Sequence, residues 1–173
     1  LRAGGGLPKQ YRSLAGEPVI RSSLSLFAWH GQIAAVQTVI HSDDRSDYAA
    51  AAKGLRLLSP VLGGATRQAS VLAGLEALSA YKPDIVLVHD AARPFCSSEL
   101  VSRAIVACGE TGAAIPALEV TDTIKRVDAD GRVAGTIDRA QLRAVQTPQA
   151  FAYPALLDAH RRAATDRRED FTD

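Results

Sequence analysis

Residues 85–94 read Ile85-Val86-Leu87-Val88-His89-Asp90-Ala91-Ala92-Arg93-Pro94. Four apolar residues in a row, three of them β-branched, fit a short buried strand. The abrupt change at His89-Asp90 places a carboxylate at the carboxyl end of that strand. In open α/β sheets this is the edge where ligands sit.

Working outward, Ser97 stands before Ser98-Glu99-Leu100, and apolar positions repeat through Ile105 and Val106. This predicts a helix capped by Ser97. Ala113 to Leu118 reads as the next strand. Upstream, Thr66 to Ser79 is a helix with Val71, Leu72, Leu75 and Leu78 at core spacing. Leu55 to Leu62 is a strand ended by Gly63-Gly64, and Tyr48 to Lys53 is a short Ala-rich helix stopped by Gly54. Ile33 to Ile40 reads as a buried strand, and Pro18 to Trp29 as a helix with Val19, Leu24, Phe27 and Ala28 on one face. Strands alternating with helices predict an α/β, Rossmann-like fold, a mostly parallel sheet with helices on both faces.

One segment departs from the alternation. Residues 121–126 and 132–137 flank Asp130-Gly131, a pair that favours a tight hairpin turn. An isolated two-stranded ribbon is marginal in water. A protruding β-hairpin arm over residues 121–139, lying against a second subunit, is one reading; a hairpin folded back on its own domain is the other.

The chain has 173 residues, which suits a single domain, here residues 1–173. Leu1 opens in the middle of a glycine-rich loop and Asp173 follows a charged stretch, so the domain reads as cut at both ends. Lys and Arg total 20 against 19 Asp and Glu, for a net charge of +1. That balance argues against a protein that tracks a nucleic-acid backbone. Residues 160–168 are rich in Arg but interrupted by Asp166, the mixture expected of a solvated helix face. Cys96 and Cys108 lack metal-ligand spacing and read as free thiols of a reducing, cytoplasmic setting. No stretch has the length or composition of a membrane span or a signal peptide.

Three segments carry candidate chemistry. Gly4-Gly5-Gly6-Leu7-Pro8-Lys9 offers backbone N–H groups unobstructed by Cβ atoms, with Lys9 and Arg2 as flanking positive charge. It lacks the Gly-Lys-Ser/Thr of a Walker loop, and a plain surface loop explains it as well. Asp90 suits a hard cation such as Mg²⁺, which takes one or two carboxylates together with phosphate oxygens. Arg93 can grip another phosphate, or the two can simply pair and close the loop. His89 reads as a supporting histidine rather than a base. Thr147-Pro148-Gln149, with Arg139 and Arg143 nearby, adds neutral hydrogen bonds and charge. No activated nucleophile or zinc-ligand pair can be assigned. What remains suits phosphoryl or nucleotidyl transfer, where positioning and charge neutralisation do most of the catalysis.

Four separated segments resemble one family. They are residues 2–11 (RAGGGLPKQY), residues 63–71 (GGATRQASV), residues 88–94 (VHDAARP), and residues 122–151, from DTIKR to RAQLRAVQTPQAF. Their order and spacing are similar to 2-C-methyl-D-erythritol 4-phosphate cytidylyltransferases, some of which are fused to a 2-C-methyl-D-erythritol 2,4-cyclodiphosphate synthase domain. The resemblance implies transfer of CMP from CTP to methylerythritol phosphate, with Mg²⁺ as the metal, in the non-mevalonate isoprenoid pathway. A related enzyme acting on another polyol phosphate, such as ribitol 5-phosphate, shares the same motifs. By resemblance Arg2 and Lys9 contact the triphosphate, and Gly63, Gly64, Ala65 and Ser70 contact the cytidine. Asp90 holds the metal, and Arg93 and Thr147 line the acceptor site. Thr123 and Arg139 reach the acceptor from the partner of a homodimer with shared sites. Phe171-Thr172-Asp173 resembles the start of an acidic family segment that includes a second metal ligand.

Overall fold

The computed structural model describes residues 6–166 of the chain. Its helices are α1 (Val19–Ala28), α2 (Arg45–Ala52), α3 (Arg67–Leu78), α4 (Ser98–Thr111) and α5 (Tyr153–Thr165). The strands are β1 (Ser13–Leu14), β2 (Glu17–Pro18), β3 (Val39–Ile40), β4 (Val61–Leu62), β5 (Ile85–Val88), β6 (Ala113–Ala114), β7 (Ala117–Glu119), β8 (Ile124–Val127), β9 (Val133–Ile137), β10 (Arg143–Val145) and β11 (Gln149–Ala152).

The four apolar residues of β5 are divided between two helical layers by the strand's period of two. Val86 and Val88 pack with Leu75 of α3 and Tyr153, Leu156 and Leu157 of α5. Ile85 and Leu87 pack with Ala104 and Cys108 of α4 and with Ala150. Helices therefore cover both faces, as the α/β reading requires. A third cluster joins Tyr11, Ile20, Leu24, Ile40, Tyr48 and Ala51, and Ala91 leans on it from the loop after β5. Each fully buried Leu or Ile contributes about 1.5–3 kcal/mol.

The ladder differs from a run of adjacent parallel strands. β3 and β4 pair in parallel. β11 lies between β5 and β6 and runs antiparallel to both. β5 and β6 thus point the same way with a returning strand between them. Its register sets Gln149 opposite Val88 and Ala152 opposite Ile85, so the segment just before β11 emerges beside the carboxyl end of β5.

Two expected strands are shorter than their apolar runs, for identifiable reasons. Of residues 33–40 and 55–62, only the last pairs form a ladder. Pro60 has no N–H to donate, and the Gln37 side chain donates to the Ser59 carbonyl at 2.9 Å, so the two segments run together through irregular bonds. Pro116 interrupts residues 113–118 in the same way. β6 joins β11, while β7 turns to β10. The hairpin is present as β8 and β9, closed by a tight loop with Gly131 at φ +79°. Asp128 Oδ1 accepts from the N–H groups of Asp130 and Arg132 and fixes that loop. Val127 and Val133 stand exposed on the hairpin.

Helix α4 begins where Ser97 predicts it, with the Ser97 hydroxyl accepting from the Leu100 N–H at 3.2 Å. Removing that acceptor in S97A should cost about 1 kcal/mol and lower Tm by a few degrees, whereas S97D should keep most of the stability. Thermal denaturation followed by circular dichroism checks both; equal losses in the two variants would show that the cap contributes nothing.

Candidate functional site

The turn after β5 is held by a closed set of hydrogen bonds. The Asp90 N–H donates to Thr147 Oγ1 at 3.3 Å, and the Ala92 N–H donates back to Asp90 Oδ1 at 3.1 Å. The Arg93 N–H donates to the Asp90 carbonyl at 2.9 Å. Arg93 Nη1 donates to Gln146 Oε1 at 2.5 Å, and its Nε lies 3.5 Å from Asp90 Oδ2. The ring of His89 spans this turn, with Nε2 3.1 Å from the Arg93 carbonyl and Nδ1 3.0 Å from Thr147 Oγ1. Phe27 packs against it at 5.0 Å between ring centroids. Burial holds the His89 pKa below its ordinary value, because removing the ring from water penalises the imidazolium. Its place within the fold fits the supporting role expected of it.

Asp90 and Arg93 both keep solvent access, with side chains 43% and 45% exposed. A loose ion pair at that exposure is weak, so each group stays available to a ligand. Among the described residues no three His, Cys, Asp or Glu side chains converge as a ready-made metal cage. A single accessible carboxylate at a sheet edge suits Mg²⁺, which takes most of its ligands from water and substrate phosphates. The donor set fits such an ion in that mode and would not fit a structural metal.

Residues 63–70 form a tight loop into α3. Thr66 caps α3 by accepting from the Ala69 N–H at 3.1 Å. Ser70 Oγ donates to the Thr66 carbonyl at 2.9 Å and accepts from the Gly64 N–H at 3.1 Å. A Cβ on Gly64 would lie 2.5 Å from the Ala69 Cβ, and one on Gly63 would lie 2.7 Å from Ser70 Oγ. Glycine is therefore required at both positions by close approach of the chain. Ala65 is exposed at the tip of the loop. The resemblance implies a ligand contact for Ser70; in the fold its hydroxyl proton has a backbone acceptor, so it also shapes the loop.

Lys9 is exposed at the start of a single 3₁₀ turn, Lys9–Tyr11. That turn is anchored by Tyr11, which enters the same apolar cluster that supports Ala91. The lysine loop and the Asp90 loop thus share one foundation. Arg2 lies outside the described residues, as do residues 171–173. Thr123 and Arg139 sit on the hairpin side: Arg139 donates to the Thr121 carbonyl. Among the described residues, no hydrogen bond or ion pair joins either to the Asp90 loop. Gln146 was missed as a candidate. Its one signal was its place immediately before Thr147.

The family described as IspD, 2-C-methyl-D-erythritol 4-phosphate cytidylyltransferase, matches residues 1–173. The bifunctional enzyme IspD/IspF of Rhodopseudomonas palustris strain HaA2 is 61% identical over 173 residues, all of this chain and 43% of that protein. Its counterpart in Bradyrhizobium diazoefficiens is 58% identical, again over all of this chain and 44% of that protein. The chain thus spans less than half the length of these relatives. The crystal structure of 4-diphosphocytidyl-2C-methyl-D-erythritol synthase from Anaerococcus prevotii superposes with a TM-score of 0.83 at 30% identity, covering 99% of this chain and 74% of that one. The 2-C-methyl-D-erythritol 4-phosphate cytidylyltransferase of Thermus thermophilus gives a TM-score of 0.75 at 35% identity, covering 98% of this chain and 76% of that one.

Tyr11 supplies a test of the shared foundation. Burial, with Asp44 and Asp47 nearby, raises its phenol pKa to about 12. Between pH 10 and 12 the unfolded chain loses this proton while the folded chain keeps it, so stability falls as pH rises through that window. Y11F should flatten this part of the profile in urea titrations from about pH 8 to 11.5. A wild-type profile that is already flat above pH 10 would contradict the placement of the phenol.

Proposed function

The chain belongs to the 2-C-methyl-D-erythritol 4-phosphate cytidylyltransferase family, and from that membership we propose that it transfers CMP from CTP to methylerythritol phosphate in the non-mevalonate isoprenoid pathway. The observation that supports this most is the pairing of an accessible carboxylate, Asp90, with an accessible guanidinium, Arg93, on one hydrogen-bonded turn. Nucleotidyl transfer needs little from a protein beyond this: fixed charge of both signs where phosphates meet.

In this reading a phosphate oxygen of methylerythritol phosphate attacks the α-phosphorus of CTP in line, forming one P–O bond as the bond to pyrophosphate breaks. The attacking oxygen is already anionic, so no side chain need remove a proton. Asp90 would hold Mg²⁺, which supplies charge neutralisation for the phosphates. Lys9 and Arg2 would face the triphosphate, and Lys9 is free to do so because it is exposed and its turn is anchored. Gly63, Gly64, Ala65 and Ser70 would form the cytidine wall, with the close-approach glycines keeping it open. Arg93 and Thr147 would meet the acceptor. The setting proposed is the cytoplasm; among the described residues no helix is long and apolar enough to cross a membrane.

The arm supports a homodimer. Among the described residues β8 and β9 pair only with each other, and Leu118, Val127, Val133 and Val145 expose apolar surface on the arm and on β7 and β10 beside it. A second copy of the chain covering that surface would bring Thr123 and Arg139 to the partner's acceptor site, giving two composite sites per dimer.

D90A should lower turnover of CTP with methylerythritol phosphate at least ~100-fold, the scale of losing a principal electrostatic contact. Pyrophosphate release measures it, and near-normal turnover at saturating Mg²⁺ would remove Asp90 from the role. The same assay run with ribitol 5-phosphate decides the acceptor: faster turnover of ribitol 5-phosphate would overturn the assignment. Mixing D90A with R139A subunits should restore activity, because one site in each mixed dimer then escapes both lesions. Mixed dimers that stay inactive would place Arg139 at its own chain's site.

A further inference from the structure

His89 lies between the two groups to which the proposed function assigns phosphate chemistry, and its hydrogen bonds fix the direction of the network. Nε2 faces the Arg93 carbonyl at 3.1 Å. A carbonyl oxygen can only accept, so Nε2 carries the hydrogen. The same carbonyl also accepts from Ser23 Oγ at 3.4 Å. On its other side, Nδ1 faces Thr147 Oγ1 at 3.0 Å. The neutral ring with hydrogen on Nε2 has a bare Nδ1, which takes the Thr147 hydroxyl proton. Thr147 then has lone pairs for the Asp90 N–H, 3.3 Å away.

Phe27 packs against the ring at 5.0 Å between centroids. In a neutral ring, which carries one N–H, the Arg93 carbonyl claims that hydrogen for Nε2 and so sets the direction of the bond at Nδ1 as well.

We propose that His89 is a positioning residue that sets the Thr147 hydroxyl as a brace for the Asp90 main chain while it holds the Arg93 carbonyl from the other ring nitrogen. One ring thereby ties the strand end that carries the carboxylate to the loop that carries the guanidinium. With its proton committed to Nδ1, Thr147 can meet the acceptor only by accepting from one of its hydroxyls, and it also holds Asp90 in place. This inference rests on the cytidylyltransferase reading only for its kinetic consequence; the hydrogen-bond direction is a property of the folded chain.

Two substitutions divide the ring's functions. H89N keeps an acceptor near the position of Nδ1 and loses the donor to Arg93. H89Q keeps a donor near Nε2 and loses the acceptor for Thr147. H89Q should lower kcat about 10- to 100-fold, the range found when the support of a metal-binding group is removed, with little change in KM for CTP. H89N should keep most of kcat and raise KM for the acceptor. T147V should match H89Q, and the double variant H89Q/T147V should be no worse than either single, because both remove one brace. T147S should restore kcat. Losses that multiply in the double variant, or equal kcat losses in H89N and H89Q, would overturn the proposal.

Nitrogen-15 NMR of the full chain labelled at histidine gives a readout independent of turnover. His89 should show hydrogen on Nε2 and an unprotonated, hydrogen-bonded Nδ1 whose resonance moves in T147V. Hydrogen on Nδ1, or a resonance unmoved by T147V, would also overturn it. If the wild-type chain fails to turn over CTP, the functional reading fails, and the ring-nitrogen measurement still decides this one.

Discussion

Gln149 pairs with Val88 where β11 runs back along β5, and the arrangement of charge at the sheet edge depends on that register. Continuing the antiparallel pairing backwards from Gln149 carries Thr147 and Gln146 past the end of β5, where the chain turns through Asp90 to Arg93. Backbone and side-chain bonds then lock the two segments: Thr147 to the Asp90 N–H and Gln146 to the Arg93 guanidinium. A shift of one residue would turn every side chain of β11 to the opposite face. Phe151 would leave the α3 and α5 layer, so apolar burial fixes the register and the register fixes the polar turn.

The turn that carries Lys9 is tied to this one through packing. Tyr11 fastens the turn that carries Lys9 into the cluster on which Ala91 rests, while Gly63 and Gly64 let the chain approach the start of α3 without a side chain between. The Lys9 turn and the Asp90 turn thereby have their positions set by the fold before a ligand arrives. Groups fixed in advance need no reorganisation as charge moves in the transition state, which is where electrostatic catalysis gains its effect. The arm is the exception: among the described residues it has no strand partner beyond its own two strands, and Val127 and Val133 on it stand exposed.

Much of this was legible from local patterns. β5, the Ser97 cap and α3 were readable because short-range rules determine them: an apolar run, a capping hydroxyl, a helical repeat. The lengths of β3 and β4 were not, because what ends them is a missing donor at Pro60 and a side-chain bond from Gln37, neither of which changes the apolar pattern. The insertion of β11 between β5 and β6 was likewise hidden, since its residues 149–152 look no different whichever strands they join. Asp90 and Arg93 stood out as charges after an apolar run. Gln146 and the double role of His89 did not, because they act through contacts 53 and 58 residues away in the chain. The four spaced motifs carried the family; the physical reading of each motif alone did not.

The central claim is that the Asp90 turn is rigid in the free protein and braced by Thr147. Amide hydrogen exchange at Asp90 tests this most directly, because that N–H has the Thr147 hydroxyl as its acceptor. The account predicts strong protection of the Asp90 amide without any ligand, and its specific loss in T147V while the β5 amides stay protected. Exchange at the rate of an open chain in the ligand-free wild type, with protection gained only on adding CTP and Mg²⁺, would contradict it.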